Sequence, residues 1–182
     1  MAFLCYNVQN MKHLFLFIFA LFSATVVSAQ NADTQLVPYS VTPLAQAIEN
    51  APFITSHKPN PAASYYMYFF TASWCSPCRA VTPKIIAEYP AMMTGRHMEV
   101  ILVSLDDTPE KALAYLSKYN APFAAVMLTS LKQFPLPGCP SDMDVIPHII
   151  VVDAHGNFIY RGHALRFAEW KERTAACKEN NH

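Results

Sequence analysis

The chain has 182 residues, 53% of them hydrophobic and only 14% charged, with 13 Lys plus Arg against 13 Asp plus Glu. A net charge of zero lacks the basic footprint of a nucleic-acid binder. Beyond one N-terminal run, no apolar stretch reaches the ~20 residues that a membrane-spanning helix requires. With 4 Gly, 14 Pro and no repeat, collagen-like and solenoid chains are excluded as well, which leaves an ordinary globular domain.

The N-terminal run reads as a targeting signal. Lys12 and His13 precede the apolar segment Leu14 to Val27, and Val27-Ser28-Ala29 supplies the small residues that a signal peptidase reads, so residues 1–29 are expected to be a signal peptide cleaved after Ala29. The segment is too short to span a bilayer and no basic stop-transfer cluster follows it; an uncleaved tether is the alternative. Met11 serves as well as Met1 for a start, because residues 1–10 contain no Lys or Arg, and Cys5 precedes the run, away from the place of a lipidated cysteine. Cleavage removes Lys12 and no acid, leaving a mature charge of about −1. The expected location is exported, periplasmic or secreted, with no stable membrane span after cleavage. There Cys75, Cys78, Cys139 and Cys177 meet conditions in which disulfides persist.

Residues 30–62 are rich in Pro, Ala and polar side chains and read as a lead-in segment holding one short helix, Pro43 to Asn50. The ordered core is expected from about Ser64, in a domain spanning 63–182. Tyr65 to Ala72 is aromatic and almost wholly apolar, as suits a strand covered on both faces. A helix follows over 76–93, with Pro83 inside it expected to kink it, and then a second buried strand, His97 to Ser104. Thr108-Pro109-Glu110 begins another helix, because Thr caps free N–H groups and Pro fits the first helical position. Ala112, Leu116 and Tyr119 share one face of it.

Ala124 to Leu128 forms a short strand, and Thr129 to Val145 is a loop containing Pro135, Pro137, Gly138 and Pro140. Pro147 opens the strand His148 to Asp153. The turn composition of Asp153 to Asn157 then returns Phe158 to Arg161 as an antiparallel hairpin, and a last helix covers Ala164 to Lys178. Buried strands alternating with helices define an α/β fold, a mixed, mostly buried β-sheet with helices on both faces.

Trp74-Cys75-Ser76-Pro77-Cys78 stands where the first strand ends and the following helix begins. A helix start offers free N–H groups and the positive end of the dipole, both favouring thiolate over thiol. The two-residue spacing lets a disulfide close and open within one turn. Cys75, nearer the helix start, is the expected nucleophile and Cys78 the resolving thiol, with Arg79 adding positive charge nearby. Two other readings compete. Cys75 and Cys78 could join Cys139 and Cys177 in a zinc site, although the latter two are too far apart for a close ligand pair. The pair could also be an inert structural disulfide.

With Pro83 shortly after the second cysteine and Ile146-Pro147 opening a later strand, the chain resembles the thioredoxin superfamily over roughly residues 64–176. The resemblance implies a thioredoxin-like fold in which Pro147 is cis, packs against the cysteines and helps bind the substrate backbone. Substrate would dock over Trp74, Ser76 and Pro77 and against Ile146 and Pro147. Phe69-Phe70-Thr71-Ala72-Ser73-Trp74, Thr82-Pro83-Lys84 and Val103-Ser104-Leu105-Asp106 look like the nucleoredoxin and tryparedoxin branch, whereas the signal-bearing form looks like the TlpA-type oxidoreductases. Two departures stand out. The strand position at which thioredoxin keeps a buried acid is Phe69, and the position three after the second cysteine, acidic in some relatives, is Val81. Neither supplies a general base for Cys78, and Glu88 reads as a solvated helix residue.

Cys139 and Cys177 have three readings: a structural disulfide, a second redox pair, or two separate thiols. His148, next to Pro147, faces either the cysteines or away from them. His57, His97, His155 and His163 show no metal-ligand spacing, and neither a metal nor a cofactor is expected. The reading as a whole is an exported thiol–disulfide oxidoreductase. Its partners would be protein thiol or disulfide substrates and a redox partner that recharges the pair. The alternative is a redox-inactive binding or assembly module with a static disulfide. Reductase, oxidase and isomerase are separated by reduction potential, which a Ser-Pro dipeptide does not encode.

Overall fold

The computed structural model describes residues 42–166. The expected signal segment, the alternative starts, Cys177 and residues 167–178 of the expected last helix fall outside these residues. The elements are α1 (Pro43–Asn50), β1 (Tyr65–Thr71), α2 (Ser76–Arg96), β2 (Met98–Ser104), α3 (Pro109–Lys118), β3 (Ala124–Met127), β4 (His148–Asp153) and β5 (Phe158–His163), with 3-10 turns at Leu128–Lys132 and Ala164–Arg166. They build a five-stranded sheet in the order β3-β2-β1-β4-β5. β1 pairs parallel to β2, and β2 parallel to β3, whereas β4 runs antiparallel to both β1 and β5. The mixed α/β sheet is the thioredoxin-like fold expected.

β1 lies at the centre, and alternation sends its side chains to two cores. Met67 and Phe69 face α2 and α3, packing with Val81, Ile85 and Leu116. Tyr66, Tyr68 and Phe70 face the other way, against Leu44 and Ile48 of α1 and Leu131 and Leu136 beyond β3. The hairpin of β4 and β5 turns at Asp153, whose carboxylate accepts from the N–H groups of His155 and Asn157.

Several boundaries differ from the sequence-based expectation, each for a local reason. The ordered core begins before Ser64. Thr42 caps α1 through Ala45 N–H at 3.1 Å, and Leu44 and Ile48 are buried against β1, a contribution of about 1.5–3 kcal/mol each. The segment after α1 continues onto the sheet edge: Ile54 N–H donates to Ala125 O at 2.8 Å, and Ala125 N–H to Thr55 Oγ1 at 3.1 Å.

Helix α2 runs through Pro83 and also Pro90 to Arg96. Gly95 lies within it, and the left-handed residue that ends it is His97, at φ 49°. On α3 the third buried residue is Tyr115, whereas Tyr119 is the half-buried cap. The loop after β3 starts with a 3-10 turn and is tied to the sheet where Tyr68 Oη donates to Pro137 O at 2.9 Å. Gly138 and Gly156 both take positive φ there, and a Cβ on Gly138 would lie 2.6 Å from Gly156 O.

Candidate active site

β1 delivers its chain end to the start of α2, and the turn between them places the cysteines. Cys75 is the N-cap of α2, and its Sγ accepts from Cys78 N–H at 3.2 Å. Cys75 and Cys78 form a disulfide, with Cα atoms 5.2 Å apart. Both are buried, Cys75 at 5% exposure and Cys78 at 0%, so the first cysteine is the more accessible by a small margin. Ala72 completes the buried cluster, with Leu105 and Ile146 packed against it.

The residues expected to bind substrate surround this disulfide in two groups. Trp74 is 59% exposed, and Ser76 and Pro77 are also exposed on the first turn of α2. Ile146, half-buried, touches the cysteine cluster and leads into a cis peptide bond to the buried Pro147. His148 lies opposite Phe70, whose side chain belongs to the α1-side core. Its Nε2 accepts from Arg161 Nε at 3.2 Å. Burial, followed by the charges of Arg161 and His163, lowers its pKa.

Cys139 sits in the loop pinned by Tyr68, packed against the α1-side core, and has no disulfide partner among the described residues. Burial pushes that thiol far up. Its expected partner, Cys177, lies outside the described residues.

The turn before Trp74 is gripped by side chains that the sequence reading did not single out as site residues. Asp106, just past β2 and 4% exposed, accepts from Ser73 N–H at 3.1 Å and from Ser73 Oγ at 2.6 Å. Ser104 Oγ donates to the other carboxylate oxygen at 3.0 Å. Arg79 Nη1 donates to Ser73 O at 3.1 Å, so the arginine holds the turn as well as bringing charge to it. Phe69 on β1 and Val81 on α2 occupy the expected acid positions, whereas this carboxylate arrives from the end of β2. The signal for it in the sequence is Ser104-Leu105-Asp106, within the stretch that looks like the nucleoredoxin and tryparedoxin branch.

A thioredoxin-like family model matches residues 63–158, just over half of the chain. The chain belongs to the thioredoxin-like family. It is 30% identical to a nucleoredoxin of Danio rerio over 99 residues, which are 54% of this chain and 23% of that protein. With a tryparedoxin of Trypanosoma brucei brucei it shares 29% identity over 86 residues, 47% of this chain and 58% of the relative. The thioredoxin-like chain thus spans under a quarter of the nucleoredoxin and little more than half of the tryparedoxin. Among solved structures, tryparedoxin II from C. fasciculata superposes with a TM-score of 0.56 at 26% identity, covering 71% of this chain and 91% of that one. Family members of the nucleoredoxin and tryparedoxin kind are oxidoreductases, and this thioredoxin-like chain carries a disulfide-bonded pair at the start of α2.

Proposed function

We propose that the chain is an exported thiol–disulfide oxidoreductase that exchanges disulfides with protein substrates through Cys75 and Cys78. The observation that carries this reading is the Cys75–Cys78 disulfide capping α2 beside an exposed Trp74 and beneath Ile146. Export rests on the apolar segment Leu14 to Val27 and the Val27-Ser28-Ala29 site that follows it.

In the oxidising direction a substrate thiolate attacks Cys75 Sγ. The Cys75–Cys78 bond breaks, and Cys78 leaves as a thiolate that takes up a proton. A second substrate thiolate then attacks the substrate sulfur of the mixed disulfide and releases Cys75. The substrate loses two electrons and the pair gains them. In the reducing direction the same steps run backwards, with Cys78 resolving the mixed disulfide. Trp74, Ser76 and Pro77 supply the exposed docking surface, and Ile146 and Pro147 its other side. A redox partner must return the pair to its starting state.

The test is twofold. A Cys78→Ser variant should accumulate a mixed disulfide with an oxidised model protein, Cys75 attacking the substrate disulfide and one substrate sulfur leaving as thiolate, and Cys75→Ser should not. Equilibration of the wild-type pair with glutathione buffers then assigns direction: a potential near about −270 mV marks a reductant and one near about −120 mV an oxidant. A pair that stays closed below about −300 mV is a structural disulfide and removes the reading.

A further inference from the structure

Behind the redox pair lies a set of buried hydroxyls. Thr82 stands one turn after Cys78 on the inner face of α2, and both are 0% exposed. Thr82 Oγ1 donates to Cys78 O at 3.0 Å. Its single hydrogen is thereby used, so in the 2.7 Å contact with Tyr115 Oη the phenol is the donor. Cys78 is thus backed by a fixed chain, Tyr115 to Thr82 to the Cys78 carbonyl, joining α3 to α2.

Thr71 faces this chain from the sheet. Met67 and Phe69 pack with Val81 and Ile85 of α2, and alternation turns Thr71, two residues further along β1, to the same side and closer to the start of the helix. The next residue, Ala72, packs against both cysteines. Yet Thr71 is 0% exposed and its Oγ1 has no hydrogen-bond partner. Native interiors seldom keep such a group without a use.

The disulfide offers a reason. Sulfur in a closed disulfide is a weak acceptor, whereas a thiolate takes charge-assisted hydrogen bonds strongly. We infer that Thr71 is a donor held ready for the reduced state, its hydroxyl bonding to the Cys78 sulfur once the Cys75–Cys78 bond opens. This rests on the oxidoreductase reading above and adds a residue that sets the balance between disulfide and dithiol. Thr71 exchanges no electrons. It stabilises the sulfur that leaves as thiolate, and the proton that Cys78 later takes up comes from solvent.

The experiment compares the full chain with its Thr71→Val and Thr71→Ser variants. Each is equilibrated in glutathione and dithiothreitol buffers, and each is melted in its oxidised and reduced forms. Loss of the hydrogen bond to the reduced Cys78 sulfur should move the Thr71→Val equilibrium toward the disulfide by roughly threefold to tenfold, and Thr71→Ser should restore it. Oxidised Thr71→Val should melt no lower than wild type, because the hydroxyl has no partner to lose, while the reduced form should melt lower. An unshifted equilibrium in Thr71→Val overturns the inference. So does equal destabilisation of both redox forms, the mark of a purely structural residue. A wild-type pair that glutathione never opens refutes the oxidoreductase reading instead, and the dithiothreitol series still reads the Thr71 effect separately.

Discussion

Asp106 accepts a 2.6 Å hydrogen bond from the hydroxyl of Ser73, two residues before the first cysteine of the pair. Through it the end of β2 holds the turn that aims Trp74 and Cys75, and Ser104 steadies the same carboxylate from behind. Removing the acceptor leaves the Ser73 N–H and two hydroxyls to find other partners in a largely dry place. Leaving buried donors unpaired costs about 1–3 kcal/mol each, so Asp106→Ala should lower the unfolding free energy by about 2–4 kcal/mol. Urea titration of the oxidised chain measures it. Ser104→Ala should cost only about 1 kcal/mol, and equal losses in the two variants would refute the clamp.

Trp74 illustrates the opposite case. At 59% exposure it contributes little to the core, so Trp74→Ala should change stability by no more than about 0.5 kcal/mol. Its effect should appear in exchange with protein disulfides, with a several-fold fall in rate and little change in the rate with glutathione. Equal slowing toward both substrates would remove Trp74 from the docking surface.

Gly138 and Gly156 hold the loop after β3 against the β4–β5 turn. Both have positive φ, and a Cβ on Gly156 would fall 2.4 Å from Pro137 Cβ. Left-handed backbone costs a non-glycine residue roughly 1–2 kcal/mol, and a forced methyl in a filled space about 1–3 more. Gly156→Ala and Gly138→Ala should each lower the melting temperature by several degrees. Gly95 has nothing within 4 Å of an added Cβ and lies inside α2. There an Ala should be neutral or stabilising, by up to about 1 kcal/mol.

Alkaline pH gives a signed expectation. Burial raises the Cys139 thiol in the folded chain, so above its ordinary value near ~8.5 the unfolded chain has lost a proton that the folded chain keeps. Stability therefore falls as pH rises, by about 1.4 kcal/mol per unit from this group alone. Burial raises Tyr68 in the same direction, and burial followed by the Glu99 hydrogen bond raises Tyr89, so both add to the slope from about pH 10. Cys139→Ala should flatten the slope between pH 9 and 10, measured by urea unfolding at stepped pH. Iodoacetamide with peptide mapping gives a second check: Cys139 should react in denaturant and resist in the native chain.

Most of the fold was legible because local chemistry and tertiary structure agree here. The run Tyr65 to Thr71 can only be a strand covered on both faces, and Thr108-Pro109 fixes the start of α3. The cysteine pair was legible for the same reason, since its strand-to-helix position follows from the residues on either side. The misses come from partners distant in sequence. Leu44 and Ile48 looked like part of a polar lead-in because their apolar counterparts, Tyr66 and Tyr68, lie beyond an irregular stretch. The helix expected over 76–93 stops short of the observed end of α2, which runs on to Arg96 and closes at His97 in the left-handed region. Asp106 is not legible as a site residue because it lies 33 positions from Ser73, and only parallel pairing of β1 with β2 brings the two together.

The hydrogen bonds from residues 54 and 55 to Ala125 have a practical consequence for anyone preparing this domain. A fragment cut to begin at Ser64 would keep all five strands and the cysteines, yet its β3 flank would be left unpaired and the aromatic wall of Tyr66, Tyr68 and Phe70 uncovered. Such a flank is a seam onto which a second molecule can lay its own strand. The short stretch ahead of the first strand therefore acts as a selvedge, finishing one border of the sheet so that it does not unravel into its neighbours.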